Sequence, residues 1–229
     1  MTLRFEMLPN ELHAVDIKNN GIVENGINSL DDVLKIKLQR GGLCMIASCF
    51  GMGKKTLAVQ IAGTMAIGKI TEKSEISDVS FTIIGESSIP TFQEIEEQII
   101  DQNAEIVIFD FSLLVGSDER FSTVVQDISR ITYRLKQIAK DLETAMICIL
   151  PLNIAAMMVR GKGCIPRPEF QDLRMFGSIE QDCDVIIFIH QERDAQDDST
   201  EIIVAKNRYG GTGTVQAVFD EEQYLFVEK

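Results

Sequence analysis

Two hydrophobic rhythms alternate along this chain. Runs that are apolar at nearly every position, at 43–47 (LCMIA), 81–84 (FTII), 105–110 (EIVIFD), 145–150 (AMICIL) and 184–190 (DVIIFIH), read as strands covered on both faces. Between them the spacing turns helical. In 54–67, Leu57, Ala58, Ile61, Ala62 and Met65 fall on one stripe, and 91–102 and 121–142 also predict helices. Further upstream, Ile27, Leu30, Val33, Leu34 and Leu38 predict a helix over 27–38, capped by Asn28 or Ser29 and stopped at Gly41–Gly42. A short helix is expected near 177–182. The chain closes on strand-like 201–208 and 213–228, with a Gly-rich turn at 210–213 that suggests a hairpin. Strand and helix in repeated alternation predict an α/β fold: a mostly parallel sheet flanked by helices, finished by an antiparallel edge. Residues 1–20 carry no clear pattern and are expected to form an arm or an edge element, with 21–229 as one domain.

Composition narrows this without redirecting it. A chain of 229 residues that is 45% hydrophobic can bury one large core. No apolar run is long enough to cross a bilayer, and the first sixteen residues (MTLRFEMLPNELHAVD) lack the apolar centre of a signal peptide, so a cytoplasmic protein without membrane contact is expected. Cys44, Cys49, Cys148, Cys164 and Cys183 form no CxxC pair and have no histidine at metal spacing; they read as reduced core thiols. The net charge of −13, from 22 basic and 35 acidic residues, argues against a surface that binds nucleic acid all over. Local basic clusters at 35–40, 54–55, 160–174 and 206–208 leave a restricted channel open.

The chemistry concentrates at 46–62, IASCFGMGKKTLAVQIA. Strand, glycine loop and helix in that order suit a phosphate site, because loop amides and the helix N-terminus both attract anions. Gly51, Gly53 and Lys54 stand where a phosphate-binding loop needs them, and ATP is the expected ligand. Ser48 occupies the place of the motif's first glycine. Lys55 replaces the hydroxyl that would hold magnesium, and the next hydroxyl, Thr56, is turned about 100° further round the helix. A Gly-Met-Gly-Lys turn can also simply join a strand to a helix. The strand IVIFD favours the nucleotide reading, since it ends in Asp110, a carboxylate suited to hold magnesium beside such a loop, although a strand can also end in a capping aspartate. Asp110 and Thr56 are thus the candidate magnesium ligands.

A resemblance sharpens the reading. The segments GSIEQDCDVI (177–186), DLRMF just before it, AKNRYGGTGTV (205–215) and the stretch 108–142 make the chain similar to the C-terminal motor domain of DnaB-type replicative helicases, from about Gly21 onward. The resemblance implies a RecA-like P-loop NTPase core, ATP binding with Lys54 on the β and γ phosphates, and Asp110 as the Walker B acid. It also implies Lys206 and Arg208 as finger residues that reach a neighbouring subunit's nucleotide and stabilise transition-state charge. They lie two apart, so that both project from one side of a strand. A finger of that kind has no use in a monomer, so a homo-oligomeric, hexameric ring follows, though a basic pair on an edge strand can also be solvated decoration. Arg174 and Gly177 fall in the segment resembling the family's DNA-contacting loop, which implies single-stranded DNA and replication proteins as partners. Three positions and one segment depart from the pattern. Lys55 stands for the magnesium-holding threonine, Pro151 for a glutamine that senses the γ-phosphate, and Met175 for an acid. Between Met65 and Phe81 there is no room for the strand that ends in the catalytic glutamate; Glu72 and Glu75 lie there in a polar stretch. These departures imply weak or absent hydrolysis, with Lys55 supplying part of the missing metal charge, and the alternative is a regulatory or scaffold relative that does not turn ATP over.

Overall fold

The apolar runs become strands of one mixed sheet. The computed structural model describes residues 5–6, 40–72, 81–84, 92–111, 121–161, 165–191, 199–220 and 225–229. Its strands are β1 (Phe5–Glu6), β2 (Leu43–Ser48), β3 (Phe81–Ile84), β4 (Ile106–Asp110), β5 (Ala145–Pro151), β6 (Val185–Gln191), β7 (Ser199–Asn207), β8 (Gly213–Asp220) and β9 (Leu225–Glu228). They lie side by side in the order β1-β3-β4-β5-β2-β6-β7-β8-β9. Pairings from β1 through β6 in that row are parallel, and those joining β6, β7, β8 and β9 are antiparallel. The predicted antiparallel edge is therefore present, and β1 places part of the N-terminal segment at the opposite edge. The sheet curls towards a half-barrel, as accumulated strand twist favours.

Five α-helices accompany it among the described residues: α1 (Lys54–Glu72), α2 (Phe92–Asp101), α3 (Phe121–Asp141), α4 (Ile154–Arg160) and α5 (Ile179–Asp182). Strand β2 shows why its sequence is apolar throughout. Leu43, Met45 and Ala47 join a core with Ile95, Ile99, Ile128, Leu135 and Ile138, whereas Cys44 and Ile46 face Leu57, Ala58 and Ile61 of α1 and Phe226 of β9. Alternate residues thus feed two cores, one under each layer of helices. Cys44, Cys49, Cys148 and Cys183 are buried free thiols, as their apolar settings predict.

Three details differ from expectation. Helix α1 continues past 67 to Glu72, so the polar stretch that carries Glu72 begins as helix. The run 213–228 divides into β8 and β9. Helix α4 follows β5 where only a loop was expected; IAAMMV is too short to show a helical period and Pro151 stands just before it. The helix expected over 27–38, most of the 1–20 arm, Glu75 and Cys164 lie outside the described residues.

Candidate nucleotide-binding site

Strand β2 lies between β5 and β6, and its carboxyl end delivers the chain into the glycine loop at the point where the strand order switches sides. Gly51 and Gly53 both adopt the left-handed conformation, with φ of 80° and 72°. A side chain at Gly53 would also meet the Phe226 ring at 2.6 Å, while Gly51 has open space beside it. Phe226 is held there by α1: Gln60 Nε2 donates to its carbonyl at 2.7 Å, and its amide donates to Gln60 Oε1 at 2.9 Å. The C-terminal strand therefore buttresses the loop from below. Helix α1 then starts at once, Leu57 N–H donating to Gly53 C=O at 2.9 Å, which leaves the amides before Leu57 at the helix N-terminus.

Lys54 is folded back into this loop. Its ammonium donates to the Cys49 carbonyl at 2.6 Å and to the Ser48 carbonyl and Oγ at 3.2 Å each. Only 7% of the residue is exposed, and burial pulls its ammonium down to about 8, against the raising influence of Cys49 and Asp110. It also sits 5.6 Å from the centre of the exposed Phe50 ring. Asp110 ends β4, two strands away from β2, with its side chain 3% exposed. The atom that closes the gap is Lys55 Nζ, 2.9 Å from Asp110 Oδ2. Pro151 ends β5 beside Ser48 in register, so the ring that replaces the expected glutamine stands at the loop's edge. Thr56 is half-buried on the next step of α1, where the turn of the helix carries it away from the direction Lys55 takes. Lys54, Lys55 and Asp110 thus come together at the carboxyl ends of the strands, and a magnesium ion fits this donor set badly. Asp110, the carboxylate among the described residues that would hold it, already binds an ammonium, and a lysine stands at the position of the hydroxyl that would complete the set.

The second predicted group lies at the other end of the sheet. Strand β7 runs antiparallel to β6, with Asn207 opposite Val185, so Lys206 and Arg208 lie at the amino ends of β2 and β6. The six residues of β2 put them roughly 20 Å from the glycine loop of the same chain. Both basic side chains reach one segment, although Arg208 is just past the end of β7. Lys206 Nζ donates to the Glu180 and Cys183 carbonyls at 2.6 and 2.7 Å, and burial, followed by Arg208, lowers its pKa. Arg208 donates to Asp184 Oδ1 at 2.9 Å and to the Gln181 carbonyl at 2.8 Å.

Asp184 was not singled out by the sequence, yet it organises this end. Its Oδ2 accepts the Leu43 N–H at 2.8 Å and the Lys136 ammonium, while Oδ1 takes Arg208. Burial alone would raise its pKa, but Lys136, the Leu43 amide and Arg208 outweigh burial and hold the carboxyl below the usual range. Around it Arg40, Lys136, Lys140 and Arg208 line a shallow depression with Glu143. Arg40 and Arg208 therefore share one face at this end of the sheet, and Lys54–Lys55 belongs to the opposite end.

Arg174 and Gly177 lie on a segment that packs against α3. Arg174 is exposed on a 3₁₀ turn (Arg174–Phe176), anchored by buried Leu173, Phe176 and Ile179. Gly177 has φ 75°, and a Cβ there would meet Ser129 Oγ of α3 at 2.7 Å. Ser129 Oγ in turn accepts the Ser178 amide at 3.1 Å. The loop's backbone is thus fixed on α3 while Arg174 points outward.

The comparisons with known proteins agree with this architecture. The model of the DnaB-like helicase C-terminal domain matches residues 67–228. The chain belongs to that family. The matched span begins after the glycine loop and includes Asp110, the Arg174 and Gly177 segment, Lys206 and Arg208. Among curated relatives, the replicative DNA helicase DnaB of Geobacillus stearothermophilus is 36% identical over 127 residues, covering 53% of this chain and 27% of that protein. A probable plasmid replicative DNA helicase of Chlamydia psittaci is 26% identical over 250 aligned positions, covering 86% of this chain and 53% of that one. The chain spans about half or less of the length of these relatives. Of solved structures, one ATPase domain aligns with a TM-score of 0.69 at 21% identity, covering 90% of this chain and 91% of that one. A DnaB-like replicative helicase studied for its interactions with primase aligns at 0.66, also at 21% identity, over 90% of this chain and 61% of that chain. These likenesses establish the RecA-like fold of the DnaB ATPase domains. No described helix is long and apolar enough to cross a membrane.

Proposed function

We propose that this chain is an ATP-binding motor module of the DnaB-like type, working in a ring and turning ATP over slowly if at all. The observation that carries the reading is the separation of the two basic groups. Lys55 and Asp110 meet beside the buried Lys54 at the carboxyl ends of the strands, and Lys206 with Arg208 lies at the amino ends, at the far end of the same sheet. Fingers so placed cannot reach their own chain's phosphates, and only a neighbouring copy's nucleotide would use them. Binding draws on the loop amides, the helix N-terminus and Lys54. Slow turnover follows from Lys55 on Asp110 and from Pro151 at the loop's edge, because phosphoryl transfer depends on the positioning of charge around the terminal phosphate. Arg174, exposed on a fixed loop, suits contact with the phosphates of single-stranded DNA.

Sedimentation velocity with and without ATP and oligo(dT), combined with phosphate release, tests this. Rings that form with nucleotide, bind DNA less tightly as salt rises and release phosphate slowly support it. The same observations at Lys55 and Pro151 favour a second reading, a regulatory or scaffold relative that binds nucleotide or replication proteins without turnover. A monomer indifferent to DNA would select it.

A further inference from the structure

The magnesium ligand set and this site disagree at one atom. Where a hydroxyl and a carboxylate would share a dication, the Lys55 ammonium rests 2.9 Å from Asp110 Oδ2. Asp110 is 3% exposed, so its charge is poorly solvated and a fixed cation beside it is strongly favoured. Lys55 itself is half exposed, at 53%, so its face away from Asp110 is open to a ligand arriving from solvent. Lys54 is folded beneath the loop, and the two lysines together leave the site positive after Asp110 is neutralised. Among the described residues, a dication added here would face two ammonium groups and one carboxylate, Asp110, already engaged. A nucleoside triphosphate without its metal carries more negative charge than the magnesium complex and suits that balance better.

We infer that this site takes a nucleoside triphosphate free of divalent cation, with the ammonium of Lys55, seated on Asp110, occupying the position of the metal. The inference rests on reading the loop as a nucleotide site and specifies the ionic form of the ligand. Asp110 becomes the anchor that orients Lys55 towards the terminal phosphates. A lysine offers three donors but none of the dication's ability to polarise a bridging oxygen, which fits a site that holds nucleotide better than it cleaves it.

The test is an anisotropy titration of the full chain with a fluorescent ATP analogue, in magnesium and in excess EDTA, repeated with Lys55→Thr. The native chain is expected to bind within about twofold of the same affinity in both. Lys55→Thr restores the hydroxyl, and its affinity should fall by roughly tenfold in EDTA relative to magnesium, in the range a charge-assisted hydrogen bond supplies. Native affinity that falls tenfold or more in EDTA overturns the inference and leaves the nucleotide site standing. A Lys55→Thr variant as indifferent to magnesium as the native chain removes Lys55 from the role and overturns it too. No binding in either buffer, by a chain whose circular dichroism and cooperative melt show it folded, overturns both the inference and the nucleotide reading beneath it.

Discussion

Replacing Asp184 by alanine removes the carboxylate on which Lys136, the Leu43 amide and Arg208 converge. The Lys136 ammonium, on a residue 8% exposed, keeps only the Gly41 carbonyl at 2.6 Å. The Leu43 amide, at the start of the central strand, loses its 2.8 Å acceptor. Breaking a buried ion pair by removing one member costs about 3–5 kcal/mol, since the remaining charge stays buried without compensation. The Arg208 leg is 47% exposed on the arginine side and adds at most about 1 kcal/mol. Because the three contacts share one network they do not sum, and about 4 kcal/mol is the expected loss. For a chain of this size that is a fall of roughly 8–16 °C in melting temperature. Urea unfolding followed by circular dichroism measures it. The double variant Asp184→Asn/Lys136→Met, which removes the stranded charge as well, should recover more than half. The pH dependence carries its own sign: the folded carboxyl lies below its unfolded value of about 3.9, so the stabilisation is present above that value and is lost as pH falls through the lower folded pKa. An Asp184→Ala variant within about 1 kcal/mol of native, or a double variant no better than Asp184→Asn alone, would refute the argument that this carboxylate holds the amino end of the sheet together.

Other expectations concern the glycine loop and the finger. Gly51→Ala meets open space and pays only for its left-handed backbone, about 1 kcal/mol, whereas Gly53→Ala also drives a methyl into the Phe226 ring and should cost about 3 kcal/mol by chemical unfolding. Gly177→Ala, left-handed and 2.7 Å from Ser129 Oγ, should weaken oligo(dT) binding through a displaced loop, and a filter-binding comparison with Arg174→Ala separates displacement from lost charge. Lys54, held near 8 by burial, must be charged to bind phosphate, so ATP affinity should be level below about pH 7 and fall above about pH 8; because the folded lysine gives up its proton near 8 while the unfolded one keeps it to about 10.4, the cost of burying the charge fades over that range, and urea unfolding should show the native chain gaining stability relative to Lys54→Met as pH rises from about 7 to about 10. Arg208→Ala should leave the melt within about 1 kcal/mol and reduce whatever phosphate release the assembled ring shows.

The central strands were legible because they are buried on both faces and therefore apolar throughout, as in LCMIAS and IVIFD, whose residues are all buried. Their order in the sheet was not, since it depends on crossovers that leave no local trace. The glycine loop, Lys54 and Asp110 were read from motif and position, and the structure brings them together. The role of Lys55 was visible only as a substitution; that its ammonium spans to Asp110 depends on how β4 is placed against α1. Asp184 escaped notice because its partners are remote, Lys136 by 48 positions and Leu43 by 141. The Phe226 ring beneath Gly53 is missed for the same reason, since a phenylalanine in an amphipathic edge strand looks like ordinary core.

The most direct test of the account is calorimetric titration of ATP into the native chain and into Lys54→Ala. One ATP bound per native chain, with binding abolished in a Lys54→Ala variant that still melts cooperatively, is the predicted result. A native chain that binds no ATP, or a Lys54→Ala variant that binds it as tightly as native, would contradict the assignment of the glycine loop as the nucleotide site.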